Sequence, residues 1–188
     1  LDGMWDRLEL GEGWAARYQR EDADQVVAKL AQKLQERPAP LATEYGFRVE
    51  LPEVVLTGKI DRIEPVQDRP KAVKVVDLKT GKKPVKEVEV EQHPQLGAYQ
   101  VAVDSGALDE ILPDAVSGGA ELLYVRLNLR NPRDQAELAD GTWAMEMIAQ
   151  VLEDLSGSEV AARPGEYCEY CPVRSSCPVC VDGTRVRS

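Results

Sequence analysis

The chain has 188 residues, with 33 Asp and Glu against 23 Lys and Arg, a formal net charge of −10. Such a length suffices for one domain with a real core. The charge excludes a protein that coats nucleic acid by bulk positive charge, but it leaves open an enzyme whose acidic site meets phosphates through metal ions. No apolar run approaches a membrane span, and the start lacks the basic-then-apolar pattern of a signal peptide. The first residue is Leu1, as in a piece taken from a longer chain.

Residues 1–20 read as a short helix or irregular arm. From Asp22 on, Val26, Val27, Leu30 and Leu34 recur at helical spacing, with Asp22 or Asp24 as cap, and the helix ends before Arg37-Pro38-Ala39-Pro40. Two strands are expected over 45–51 and 54–63, a polar turn over 64–70, and a third strand over 72–78, together an antiparallel meander. An acidic connector over 87–92 leads to a helix that starts at Pro94 and reaches residue 103. Residues 104–119 are rich in turn formers, with room for a short helix at 107–111. A fourth strand over 120–127 follows a helix, so a parallel crossover is expected. After a polar loop over 128–141, Thr142 caps a last helix whose Trp143, Met147, Ile148, Val151, Leu152 and Leu155 form a core-facing stripe. This order predicts a three-layer α/β/α sandwich around a small mixed sheet. The expected divisions are a helical arm over 1–43, the core over 44–155, and a Cys-rich tail over 156–188.

The third predicted strand runs into Asp77-Leu78-Lys79. Side chains alternate along a strand, so Asp77 and Lys79 share one side. A carboxylate at a strand mouth can hold a divalent cation, and an ammonium beside it can steady developing negative charge. Taken alone, the pair reads as a surface ion pair at a strand end, worth little. Gln95 and Tyr99 are four apart and share a helical face. His93 reads as a helix-start residue. A hairpin through 64–70 leaves Asp61 near the turn and Asp77 at the far end of its strand, so their convergence calls for a bend in the second strand. Lys79, Lys82, Lys83 and Lys86 cluster, as do Arg126, Arg130 and Arg133, and the Arg set reads as a solvated face.

All four cysteines lie in Cys168-x2-Cys171-x5-Cys177-x2-Cys180. Four thiols within thirteen residues suit Zn²⁺ or an iron–sulfur cluster better than dispersed disulfides. Four free thiols are the alternative.

The segments Gly58-Lys59-Ile60-Asp61-Arg62-Ile63, VVDLKTGK and HPQLGAYQ, in this order, resemble the PD-(D/E)xK nuclease signature in its RecB-like form, with a restriction-endonuclease-like core. Ile60 stands where the signature has proline. The resemblance implies that Asp61, Asp77 and the Leu78 carbonyl bind Mg²⁺ or Mn²⁺ and that Lys79 is catalytic. It also implies that Gln95 and Tyr99 support the site and contact DNA, and that Glu44 matches a recurrent upstream Glu. Cys168, Cys171 and Cys177 match the triplet that holds a [4Fe–4S] cluster in AddB-like relatives; Cys180, or a Cys outside this sequence, would be the fourth ligand, with Zn²⁺ as another occupant. The activity implied is single-stranded DNA cleavage by the C-terminal nuclease domain of a bacterial recombinational-repair helicase–nuclease of the RecB, AddAB or AdnAB type. Such a domain has a helicase motor in the same longer chain and a second helicase–nuclease subunit as partner, and works in the cytoplasm at the nucleoid. Two alternatives stand beside it: a DNA-binding scaffold that cuts nothing, and a stand-alone RecB-like exonuclease of the CRISPR-adaptation type.

Overall fold

The computed structural model describes residues 5, 11, 13–130, 132–139, 142–157, 162 and 164–180. The chain divides into two compact units, Leu1–Glu146 and Met147–Ser188. Of the arm expected over 1–20, residues 1–4, 6–10 and 12 lie outside the described residues.

In the first unit, helix α1 spans Trp14–Gln35, so it starts eight residues before the expected Asp22 cap. Ala15 and Ala16, strong helix formers, extend it backwards from Gly13. Asp22 is instead spent on Arg126, whose guanidinium donates to both of its carboxylate oxygens at 2.5 and 2.6 Å. Asp24 accepts from Arg20 at 3.1 Å. The Lys33 ammonium reaches the Leu127 carbonyl at 2.9 Å, a second tie from α1 to the chain leaving the fourth strand. The expected solvated Arg face is thereby corrected for two of its members. Arg126 is held by Asp22, and Arg133 donates to the Val85 carbonyl at 2.6 Å and pairs with Glu87.

Five strands follow: β1 Ala42–Glu50, β2 Val55–Val66, β3 Arg69–Lys79, β4 Val116–Tyr124 and β5 Arg133–Gln135. They lie side by side in chain order, antiparallel except for the parallel β3–β4 pair. The polar turn expected over 64–70 shrinks to Gln67 and Asp68, with Asp68 in the left-handed region at φ 60°. Glu64 looked like a turn residue but is a buried strand residue, because Arg37 and Arg62 both donate to its carboxylate. Strand β4 begins four residues before its expected start, and β5, short and polar, was not foreseen.

The β3-to-β4 crossover carries the short helix α2, Glu87–Val90, and helix α3, Pro94–Asp104. Helix α3 buries Leu96, Ala102 and Val103 in the same cluster as Ile63, Val73, Val75, Ala120 and Leu122 of the sheet. Among them Gln100 is buried and fully used: its amide donates to Gln135 Oε1 and the Ala136 carbonyl, and its oxygen accepts from the Ser117 hydroxyl. Such a satisfied network costs little and pins α3 to β4 and to the end of β5. Residues 107–111 form turns rather than the short helix expected. The architecture is an α/β fold with a small mixed central sheet, as expected.

Helix α4, Thr142–Ser156, begins in the first unit and continues into the second. Its predicted stripe is only partly sheltered. Trp143, Met147 and Ile148 are half-buried, whereas Val151 and Leu155 are exposed, a correction to their expected core role. The second unit also carries two 3₁₀ turns, Glu166–Tyr170 and Arg174–Ser176. No helix among the described residues is long and apolar enough to cross a membrane.

Candidate active site

Strand register decides which acids meet. At the hairpin end Val66 faces Arg69, a pairing that would set Asp61 opposite Lys74 if it continued. It does not continue: an irregularity between Pro65 and Val66 shifts the register, so that Pro65 faces Val73 and Arg62 faces Val76. The next step along this ladder sets Asp61 against Asp77. The predicted separation of the two acids is thus overturned by a bulge, a device that re-aims side chains near sites.

The Asp61 carboxylate accepts a 2.7 Å hydrogen bond from the Leu78 N–H. Asp77 is 4 % exposed. Its Oδ1 accepts from the Gln95 amide nitrogen at 2.6 Å. Its Oδ2 lies 2.7 Å from the Lys79 ammonium, yet no donor is aligned on it as a hydrogen bond. The same ammonium donates to Gln95 Oε1 at 2.8 Å. Asp77, Lys79 and Gln95 therefore form a closed triangle. Burial raises the Asp77 pKa, Lys79 pulls against that, and the Asp61 charge adds to the rise.

Helix α3 presents Gln95 and Tyr99 on one face, as their spacing predicts. The Gln95 amide also donates to the Tyr99 hydroxyl at 3.1 Å, and that hydroxyl donates to the Lys59 carbonyl at 2.9 Å. Both Gln95 amide hydrogens and its carbonyl are engaged within the site. His93 precedes Pro94 at the N-cap of α3, with its Nδ1 buried and unpartnered. Burial, then Lys79, push the His93 pKa down, against an opposing pull from Asp77. The imidazole thus stands within the electrostatic field of the site as well as at a helix start.

Glu44 stands apart from this triangle. Thr43 and Tyr45 pair with Arg62 and Ile60, while Glu44 between them drops out of the ladder with φ 51°. A non-glycine residue in the left-handed region is uncommon and strained. Its carboxylate is in contact with the Lys59 ammonium, which holds the Lys59 pKa above its usual value. Lys59 shares a strand face with Asp61 in the sequence pattern, but its pairing with Glu44 had no signal there.

Two carboxylates and the Leu78 carbonyl are hard oxygen donors, and one carboxylate oxygen has no hydrogen-bond donor aligned on it. Those features fit Mg²⁺ or Mn²⁺, which are commonly held by one or two carboxylates with substrate phosphates completing the shell. Among the described residues no three His, Cys, Asp or Glu side chains come together as a metal-holding group. Cys168, Cys171, Cys177 and Cys180 are half-buried free thiols on the 3₁₀ turns and just beyond them, and their sulfurs are not gathered into such a group.

An α/β fold whose adjacent strands bring two acids and a lysine to one place defines a class, that of nuclease-type hydrolase cores. The family model described as the PD-(D/E)XK nuclease superfamily matches residues 1–178, and the chain belongs to that superfamily. Its members typically use Mg²⁺ or Mn²⁺ and act on DNA. No curated protein matches the chain.

Proposed function

We propose that the chain is a Mg²⁺-dependent deoxyribonuclease domain, an exonuclease acting on single-stranded DNA within a recombinational-repair helicase–nuclease. The observation that carries the catalytic part is the junction of Asp61 at the Leu78 N–H with the Asp77–Lys79–Gln95 triangle. Asp61, Asp77 and the Leu78 carbonyl would hold the ion, which would acidify a water and screen phosphate charge. Gln95 keeps Asp77 and Lys79 in register. Lys79, as an ammonium, orients the attacking water or balances charge on the phosphate oxygens. The water oxygen bonds to phosphorus, the bridging P–O bond breaks, and the departing oxygen takes a proton.

The helicase motor, the second subunit and the nucleoid location belong to this reading through the RecB-like motifs. So does a [4Fe–4S] cluster, or Zn²⁺, on the four cysteines, supported by their spacing and their free thiols. Iron, sulfide and zinc analysis of the purified chain, with Cys171→Ser as control, tests that part. The cleavage test is Asp77→Ala on labelled single- and double-stranded DNA with and without Mg²⁺. A drop on the order of 10²–10⁴-fold with an unchanged melting transition is expected; retained cleavage refutes the assignment.

One observation favours a second reading, a DNA-binding scaffold without cleavage: Glu44 is held by Lys59, and among the described residues no third carboxylate joins Asp61 and Asp77. Calorimetry with Mn²⁺ separates the two. A nuclease takes up the ion through Asp61 and Asp77, and a scaffold gives no heat.

A further inference from the structure

A groove of about 650 Å³ opens between the β1–β2 ribbon and the turn that follows α3, with Tyr45, Gly46, Phe47, Arg48, Gly58 and Glu110 among its lining residues. Strand β1 is the edge of the sheet, so the groove is reached from the side. Tyr45 and Phe47 are two apart and share a face of that strand. Phe47 faces Gly58 across the ladder, and a Cβ at Gly58 would lie 2.7 Å from the Phe47 ring. The absence of a side chain there lets the ring lie down over β2. The other side of Phe47 meets Tyr99 edge-on, with centroids 6.2 Å apart at 78°. Tyr99 in turn bonds to Gln95, and Gln95 to Asp77. A chain of contacts, Phe47 to Tyr99 to Gln95 to Asp77, therefore links the groove lining to the candidate metal site.

The groove is also close to that site along the chain. Tyr45 follows Glu44 directly, and Gly58 lies three strand residues before Asp61, about 10 Å at the usual rise. Tyr45 is half-buried, and burial together with Glu110 keeps its hydroxyl protonated, so the ring is neutral. Arg48 stands exposed at the rim, 3.5 Å from Glu50. A chain with net charge −10 gains little from bulk attraction to phosphates, so contact with the bases must contribute to holding a strand. A base inside a duplex has both faces covered, and only an unpaired one can offer a face to Tyr45.

We propose that this groove takes an unpaired nucleobase of the substrate strand, stacked on Tyr45, with Arg48 against the adjoining phosphate. The proposal rests on the nuclease reading above and names the residues by which the chain selects a strand with free bases beside the scissile phosphate.

The test reads binding separately from cleavage. In the full chain carrying Asp77→Asn, fluorescence anisotropy measures the affinity for labelled oligothymidylate and for a blunt duplex in Mg²⁺. Tyr45→Ala, Tyr45→Leu and Tyr45→Phe are compared with that parent. Leucine keeps apolar bulk at this half-buried position and removes the aromatic face. Tyr45→Ala and Tyr45→Leu should each weaken oligothymidylate binding about 5- to 100-fold, the worth of one base–aromatic stack. Tyr45→Phe should bind as the parent does, and duplex affinity should not move. Unchanged oligothymidylate binding in Tyr45→Leu overturns the proposal, and so does an equal loss for duplex. If Tyr45→Ala melts early, Tyr45→Leu carries the test alone. Failure of the nuclease reading appears elsewhere, as absence of metal-dependent cleavage by the unsubstituted chain.

Discussion

The Asp61 carboxylate accepts its 2.7 Å hydrogen bond from the backbone of Leu78, the residue between Asp77 and Lys79. One oxygen thereby fixes the approach of β2 to the end of β3 and leaves the second oxygen for a cation. The two roles separate by substitution. Asp61→Asn keeps a carbonyl oxygen for the Leu78 N–H but removes the charge, so it should fold as stably as the parent and lose Mn²⁺ binding. Asp61→Ala should lose Mn²⁺ binding and also about 1 kcal/mol of stability, the cost of leaving a part-buried donor unsatisfied. Denaturant unfolding and Mn²⁺ calorimetry check both, and equal stability of the two variants would contradict the structural half of this argument.

Asp77 gives a pH signature. Burial raises its pKa, so the folded chain holds this proton more tightly than the unfolded chain does. The stability linked to that proton is complete below the usual value of 3.8 and is lost as pH rises through the elevated folded value. In EDTA, the parent should therefore lose stability relative to Asp77→Asn as pH climbs through that window. Adding Mg²⁺ at neutral pH should stabilise the parent and leave Asp77→Asn unmoved. Unfolding midpoints across the acid range, with and without the ion, read both effects; an opposite slope in EDTA would place the carboxylate in a better-compensated setting than the one described.

Parts of the site were readable because they obey short periods. Asp77 and Lys79 are two apart on a strand, and Gln95 and Tyr99 are four apart on a helix, so each pair was placed by spacing alone. The meeting of Asp61 with Asp77 was not readable, because it depends on a register shift at Pro65 and Val66 that leaves no periodic trace. The same limit hid β5, which is three polar residues long and exists because Gln135 is bonded inside the fold. Glu64 and Glu121 were invisible as buried residues since their burial depends on Arg37, which arrives from another element. Periodicity reports the faces of an element, whereas paired buried charges and bulges are properties of two elements together.

Gly97 ties the site to packing elsewhere in the first unit. A Cβ at this position in α3 would lie 2.4 Å from Cη2 of Trp143, closer than real contacts come. Gly97→Ala should therefore cost about 1–3 kcal/mol, the usual penalty of overpacking. Because Gln95 and Tyr99 ride on the same helix, a shift of α3 should also lower cleavage by more than the fraction unfolded accounts for. Trp143→Leu in the Gly97→Ala background should recover part of both. Thermal unfolding and turnover on the four chains of this cycle provide the check, and additive losses would show that the two residues do not press on each other.

A buried ion-pair network lies outside the candidate catalytic cluster. Arg37 donates to both oxygens of Glu64 at 2.9 Å and to both oxygens of Glu121 at 3.1 and 2.7 Å. Glu64 and Glu121 are 3 % and 6 % exposed, so neither can turn to water if the guanidinium is removed. Arg62 still serves Glu64, and Lys74 lies 3.4 Å from Glu121, so the loss is partial. Arg37→Ala should cost about 3 kcal/mol, as expected for a broken buried pair. Arg37→Lys should fall between, since an ammonium cannot fork onto two carboxylates. Burial pushes the Glu64 pKa up, but bonds from Arg37 and Arg62 outweigh it and leave the value lowered. The stability this provides is present above the usual 4.5 and is lost as pH falls through the lower folded value. The gap between the parent and Arg37→Ala should accordingly narrow in acid, and urea midpoints at neutral and acid pH measure it. A gap that stays constant would mean that Arg37 stabilises through packing of its stem rather than through these carboxylates.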